Sequence, residues 1–99
     1  MSKIVAVFEA ADLTAENYDA IMNEMAPGGK FPDKNLNVHV SFKKGDSWCV
    51  VDVWNSEEDM NHFAMNTLMP MFAKLGITPP TPPTVYPLHR LINMAEQEG

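Results

Sequence analysis

His39 and Asp52 are the side chains in this sequence best suited to proton chemistry. A neutral imidazole can take a proton from an acidic carbon or a phenol. A carboxylate on its far side can fix the ring tautomer and stabilise the imidazolium. The segment from Leu36 to Trp54, LNVHVSFKKGDSWCVVDVW, brings them together: two runs rich in Val, Phe and Trp flank Gly45-Asp46. A two-residue Gly-X loop of this kind signals a hairpin. With Lys44 and Ser47 flanking the turn, Val40 lies opposite Val51, Val38 opposite Val53 and His39 opposite Asp52, with Ser41 and Val50 beside them. One face of the hairpin is then wholly apolar. The other is apolar with a His, an Asp and a Ser set into it, a composition that suits a pocket wall. The plainer reading is a cross-strand pair that adds about 0.2–1 kcal/mol to strand pairing and does no chemistry.

Other residues could join such a site. Trp54 and Trp48 can stack on a flat aromatic ligand, or pack in an interface. His89 lies in VYPLHRLI, where Tyr86, Leu88 and Ile92 alternate with Val85, Pro87, His89 and Leu91. If Tyr86 and Leu88 meet the helices, His89 points with His39 and Asp52 into a shared lumen. Two His and an Asp are a possible metal-binding composition, but no local spacing supports it, so neither metal nor cofactor is expected. Arg90, the only arginine, could meet a ligand carboxylate or form a surface ion pair. Cys49 is the only cysteine; it excludes an intramolecular disulfide and reads as a small buried hydrophobe. Met22, Met25, Met60, Met65, Met69 and Met71 make an adaptable interior. Lys43-Lys44 flanks the turn, and Glu57 to Asp59 suits a helix start rather than a metal.

The elements that must hold these residues can be read along the chain. Ile4 to Phe8 is an apolar, β-branched run and forms the first strand. Thr14 is a good N-cap for a helix on which Tyr18, Ile21, Met22 and Met25 recur at helical spacing, and Pro27-Gly28-Gly29 stops it. Lys30 to Asn35 is loop before the hairpin. Asn55-Ser56 caps a second helix with an acidic first turn; Met60, Phe63, Ala64, Thr67, Leu68, Met71 and Leu75 form its buried stripe. Pro70 predicts a kink or restart there, with Met69 pushed out of ideal helix. Gly76 suits the position just past the helix. Four prolines between Ile77 and Thr84 predict a stiff connector back to the sheet, with partner recognition the lesser possibility. Val85 to Ile92 is the last strand, and Asn93 to Gly99 a polar tail.

The ninety-nine residues, 45% hydrophobic and 20% charged, are expected to form one domain over positions 1–99. Net charge is −6 and the seven Lys and Arg are scattered, which argues against nucleic acid and anionic membrane as partners. MSKIVAVFEAAD is too short and too strand-like for a signal peptide. No apolar run approaches the ~20 residues of a membrane span. A cytoplasmic location is expected.

The order β-α-β-β-α-β predicts an α+β, ferredoxin-like antiparallel sheet with both helices on one face. Trp48, Val50 and Trp54 are too apolar to leave bare to water, so their face, carrying His39 and Asp52, is expected to be the open one. A second copy would cover it, making a homodimer.

This order and length, together with VVDVWNSEEDMNHFA from Val50 to Ala64, resemble the dimeric α+β barrel superfamily, and within it small proteins similar to antibiotic-biosynthesis monooxygenases. The most specific part is Asp52 two before Trp54, followed by the capped acidic helix start Ser56 to Asp59. The resemblance implies a barrel closed by two sheets from two protomers, with ligand sites between sheet and helices. It also implies a choice among cofactor-free oxygenases, polyketide cyclases, lactone isomerases and haem-degrading enzymes, which fold alone does not make. Many relatives carry a His on the second helix pointing into the site. Here Phe63 takes the buried stripe and His62 falls one step off it, so that role does not carry over. The Asn–Trp pair of the haem-degrading branch has no recognisable match.

The expected protein is a small-molecule-binding barrel dimer acting as a cofactor-independent monooxygenase, cyclase or isomerase on an aromatic or polyketide-like substrate. His39 is the base, Asp52 its orienter, and Trp54, Ser41, Val50 and His89 the ligand contacts. The rival is a non-catalytic protein that holds a hydrophobic ligand or serves as a dimerisation module.

Overall fold

The computed structural model describes residues 2–29 and 31–92; Lys30 and the tail expected at 93–99 lie outside the described residues. The first strand, β1, spans Ile4–Ala10. Thr14 then caps the helix α1, Ala15–Met25, its side-chain oxygen accepting the Asn17 N–H at 3.1 Å. That bond satisfies one of the donors a helix start leaves unpaired. A 3-10 turn at Ala26–Gly28 closes α1.

The hairpin forms in the expected register. β2, Leu36–Lys44, and β3, Ser47–Trp54, pair His39 with Asp52, Val38 with Val53, Val40 with Val51 and Ser41 with Val50, with an irregularity between Leu36 and Val38. Gly45 carries the turn at φ 58°, the left-handed conformation that a two-residue hairpin loop requires.

After β3, Ser56 caps α2, Glu57–Phe63. Its hydroxyl accepts the Asp59 N–H at 3.1 Å and donates to the Asp59 carboxylate at 2.8 Å. The chain then widens into a π-helical stretch, Ala64–Leu68, and resumes as α3, Met69–Leu75. The irregularity expected at Met69 therefore sits one turn earlier, and Met69 itself is helical at φ −61°, ψ −44°. Pro70 lacks an N–H and its ring crowds the carbonyl of Asn66, four residues back. Widening the turn around Asn66 relieves that clash without breaking the helix. Gly76, at φ 68°, ends α3: its N–H bonds the Ala73 carbonyl at 3.3 Å, and the Ile77 N–H bonds that of Phe72 at 2.9 Å. This bond pair lets the chain leave the helix without orphaning its last carbonyls.

The last strand, β4, is only Thr84–Pro87, shorter than the Val85 to Ile92 read from the sequence. Pro87 lies opposite Ile4, where β1 begins, and one further bond joins the Leu88 N–H to the Lys3 carbonyl. No further pairing of β4 with β1 follows among the described residues.

The four strands make one antiparallel sheet in the order β2-β3-β1-β4, an α+β ferredoxin-like arrangement. The assignment of its faces reverses the expectation. Ile4, Ala6 and Trp54 are buried in one cluster with Ile21 and Met25 of α1, Met60 and Phe63 of α2, and Met71 and Phe72 of α3. Trp48, Val50 and Asp52 alternate with Trp54 on the same side of β3, so the mixed face lies beneath the helices. The other face, Val-rich, with Val40 and Phe42 exposed at 49% and 42% and with the Lys44–Glu9 ion pair near the hairpin turn, is the open one. Both faces are apolar, so alternation alone could not choose between them. Bulk does: a helix layer stands off the sheet and needs long side chains such as Trp54 and Phe8 to fill the gap. A shallow Val-rich face suits close packing of sheet on sheet.

Candidate active site

Register, helix crossing and loop together set three polar side chains in a line. β2 and β3 place His39 against Asp52, whose carboxylate oxygen lies 2.6 Å from Nδ1. Tyr18, at the end of the first turn of α1, reaches down from the helix layer to put its hydroxyl 2.5 Å from Nε2. An ionised carboxylate only accepts, so Nδ1 carries the proton and donates to Asp52. With that tautomer a neutral ring accepts the Tyr18 O–H at Nε2. The result is a hydrogen-bonded chain from phenol to imidazole to carboxylate. Burial deepens along it: Tyr18 is half-buried, the His39 side chain is 19% exposed and that of Asp52 9%.

Aromatic rings hold the imidazole in place. The Tyr18 ring lies nearly parallel to it at 5.9 Å between centroids, and the Phe31 ring meets it edge-on at 5.1 Å. Trp48 in turn lies 5.4 Å from Tyr18. Locked on two sides, the ring keeps both nitrogens aimed at their partners.

The chain of three forms part of the wall of a cleft between sheet and helices, with a volume of about 80 Å³. Phe8, Val50 and Trp54 supply its sheet side, Ile21, Met22 and Met25 its α1 side, and Leu68 and Phe72 come from the π-helical stretch and α3. The wall is almost entirely apolar apart from Tyr18, His39 and Asp52. The exceptions are the indole N–H groups of Trp48 and Trp54: both are buried without a hydrogen-bond partner among the described residues. A buried donor left unmade costs about 1–3 kcal/mol, so an acceptor brought against either would be stabilised.

Not every residue expected at the site reaches it. His39, Asp52, Val50 and Trp54 line the cleft; Ser41 sits beside Val50 on the same face but outside the lining. His89 is exposed, beyond the end of β4 and away from the cleft. Val85 packs on the helix-side core, on the same face as Asp52 and His39, so alternation by itself would set His89 on that face too; β4 stops at Pro87, and His89 lies past its end. Arg90 is exposed as well. Among the described residues no three His, Cys, Asp or Glu side chains gather where they could hold a metal. His62 is exposed while Phe63 is buried, as their spacing requires. Cys49 is buried and free. The residue the sequence did not mark as chemical is Tyr18. Its place in the amphipathic stripe of α1 was the only signal, and a phenol at a buried-stripe position facing a polar-studded sheet face is where a hydroxyl contact would be sought.

No protein-family model matches this sequence, and no curated protein matches it. Solved structures do. The chain is similar to a conserved protein from Methanosarcina mazei Go1, with a TM-score of 0.59 and 13% identity over 87% of this chain and 92% of that one. It is also similar to SnoaB, a cofactor-independent oxygenase from Streptomyces nogalater, with a TM-score of 0.55 and 10% identity over 95% and 98% of the two chains. A third is Rv0793 from Mycobacterium tuberculosis, at 0.50 and 13% over 93% and 96%. What the chain shares with them is the fold, an α+β ferredoxin-like antiparallel sheet with helices on one face. At these identities the likeness is one of backbone path, and the polar chain of Tyr18, His39 and Asp52 must be judged by its own geometry.

Proposed function

We propose that this protein binds a small aromatic or polyketide-like molecule in the cleft and removes a proton from it. That step is common to cofactor-independent oxygenation, cyclisation and isomerisation. The observation carrying the reading is the Tyr18–His39–Asp52 chain set in an otherwise apolar wall. A fold neighbour named as a cofactor-independent oxygenase supports the chemical class.

In the reaction, an acidic O–H or C–H of the ligand meets the Tyr18 oxygen. As the ligand's proton passes to that oxygen, the Tyr18 proton passes to Nε2 of His39, and the electron pair stays on the ligand as a phenolate or enolate. The imidazolium is held by the ion pair with Asp52. The unpartnered indole N–H groups of Trp48 and Trp54 are candidates to receive the developing oxyanion. Dry, apolar walls strengthen each of these interactions. The carbanion-like product can then be attacked by dioxygen, close a ring or take its proton back elsewhere.

The same proposal includes a homodimer. A second copy would cover the open face, meeting it through Val5, Val7, Val38, Val40, Phe42 and Val51, and would complete the barrel.

Ionisation of 4-nitrophenol tests the proton step without a known substrate. Bound to the protein at a pH where the free compound is protonated, it should show the yellow phenolate band. Tyr18→Phe and His39→Gln should bind it, as read by tryptophan quenching, and leave it colourless. Quenching of the wild-type protein with no phenolate band overturns the proton-transfer reading.

A further inference from the structure

The connector between α3 and β4 shows a burial pattern of period three. Ile77, Pro80 and Pro83 are half-buried, while Thr78, Pro79, Thr81 and Pro82 are exposed. Three residues per turn is the repeat of the polyproline helix, so the connector lays one edge on the protein and turns the other outward. Pro80, at the middle of the seated edge, lies in the wall of the cleft.

Both ends of this strap are tied. Its start is held by the Ile77 N–H bond to the Phe72 carbonyl, and its end by Thr84, which pairs with Val7 in the sheet. Between the ties, the four prolines have no N–H to satisfy, so the strap crosses the surface without leaving buried donors unpaired. Proline also fixes φ, which makes this segment the stiffest part of the rim. The rest of the rim is more adaptable: Met22 and Leu68 are half-buried side chains packed on the core, and unlike proline they can change rotamer.

We propose that the strap, through Pro80, sets an upper limit on ligand size, admitting a single ring and rejecting fused polycycles. This rests on the cleft being the ligand site. The cleft volume of about 80 Å³ is below the ~150 Å³ of an engineered cavity that holds benzene and the ~300–1,000 Å³ of usual ligand pockets. Rotation of Met22 and Leu68 makes room for one ring. A second or third fused ring has to displace Pro80, which is pinned from both sides. Apolar pockets discriminate a single surplus methylene by about 10–200-fold, so a whole surplus ring against a stiff wall is rejected at least that strongly.

Calorimetric titration with phenol, 1-naphthol and 1-hydroxyanthracene tests the limit, in the wild type, in Pro80→Ala and in Pro82→Ala. Pro82 faces outward, so Pro82→Ala loosens the strap without changing the wall. The wild type should bind phenol at least about tenfold more tightly than the tricycle. Pro80→Ala should narrow that ratio by about fivefold or more, and Pro82→Ala should leave it unchanged. Wild-type protein binding the tricycle as tightly as phenol overturns the size limit while leaving the ligand site standing. Equal narrowing by both variants overturns the role of the Pro80 side chain. Binding of none of the three compounds overturns the ligand site itself, and the limit with it.

Discussion

The His39–Asp52 contact can be weighed by a double-mutant cycle. Its two partners differ in burial, with side chains 19% and 9% exposed at a separation of 2.6 Å. Removing His39 strands the more deeply buried group, a carboxylate, so His39→Ala should cost about 3 kcal/mol. Removing Asp52 strands an imidazole N–H that solvent can partly reach, so Asp52→Ala should cost about 2 kcal/mol. With both removed, neither group is left unpaired, and the double variant should lose about 3.5 kcal/mol rather than the sum, a coupling of about 1.5 kcal/mol. For a domain of this size the single losses correspond to a fall in Tm of roughly 8–24 °C. Urea unfolding followed by tryptophan fluorescence reads all four proteins, since both tryptophans line the cleft. Protein concentration is held constant, because assembly would add to apparent stability. Additive losses, with coupling below about 0.5 kcal/mol, would mean that the two side chains do not meet in solution, and the proton chain would lose its terminal carboxylate.

Two further perturbations probe the surface and the scaffold. Placing charges on the open face by Val40→Lys with Phe42→Glu should convert a dimer to a folded monomer by sedimentation velocity; an unchanged dimer means that copies meet elsewhere. Ser56→Ala removes a cap hydroxyl that is only 3% exposed and makes two contacts with Asp59. It should lower stability by about 1–2 kcal/mol in urea without altering ligand binding.

Much of the scaffold is local physics and could be read from the residues in order. Gly45-Asp46 between two β-branched runs specifies the turn, and a two-residue turn specifies the register, so the meeting of His39 with Asp52 follows from sequence alone. Thr14 and Ser56 mark helix starts because their hydroxyls satisfy backbone donors within the next three residues. Pro70 signals a disturbance because its ring and missing N–H act within one turn. Each of these effects is complete inside a few residues of its cause.

What lay beyond the sequence depends on elements that are distant in the chain. The length of β4 is set by how far it pairs with β1, which is distant in the chain, and no property of Val85 to Ile92 reveals it. The sheet face that the helices cover was hidden because both faces are apolar; it is decided by which set of side chains can fill the gap beneath α1, α2 and α3. Tyr18 is the sharpest case. By spacing it belongs to an apolar stripe, and only the crossing of α1 over β2 carries its hydroxyl to the free nitrogen of His39. The His39–Asp52 pair was thus determined by a hairpin, while its link to Tyr18, the cleft it opens on and the proline rim over it were decided by how sheet, helices and connector pack together.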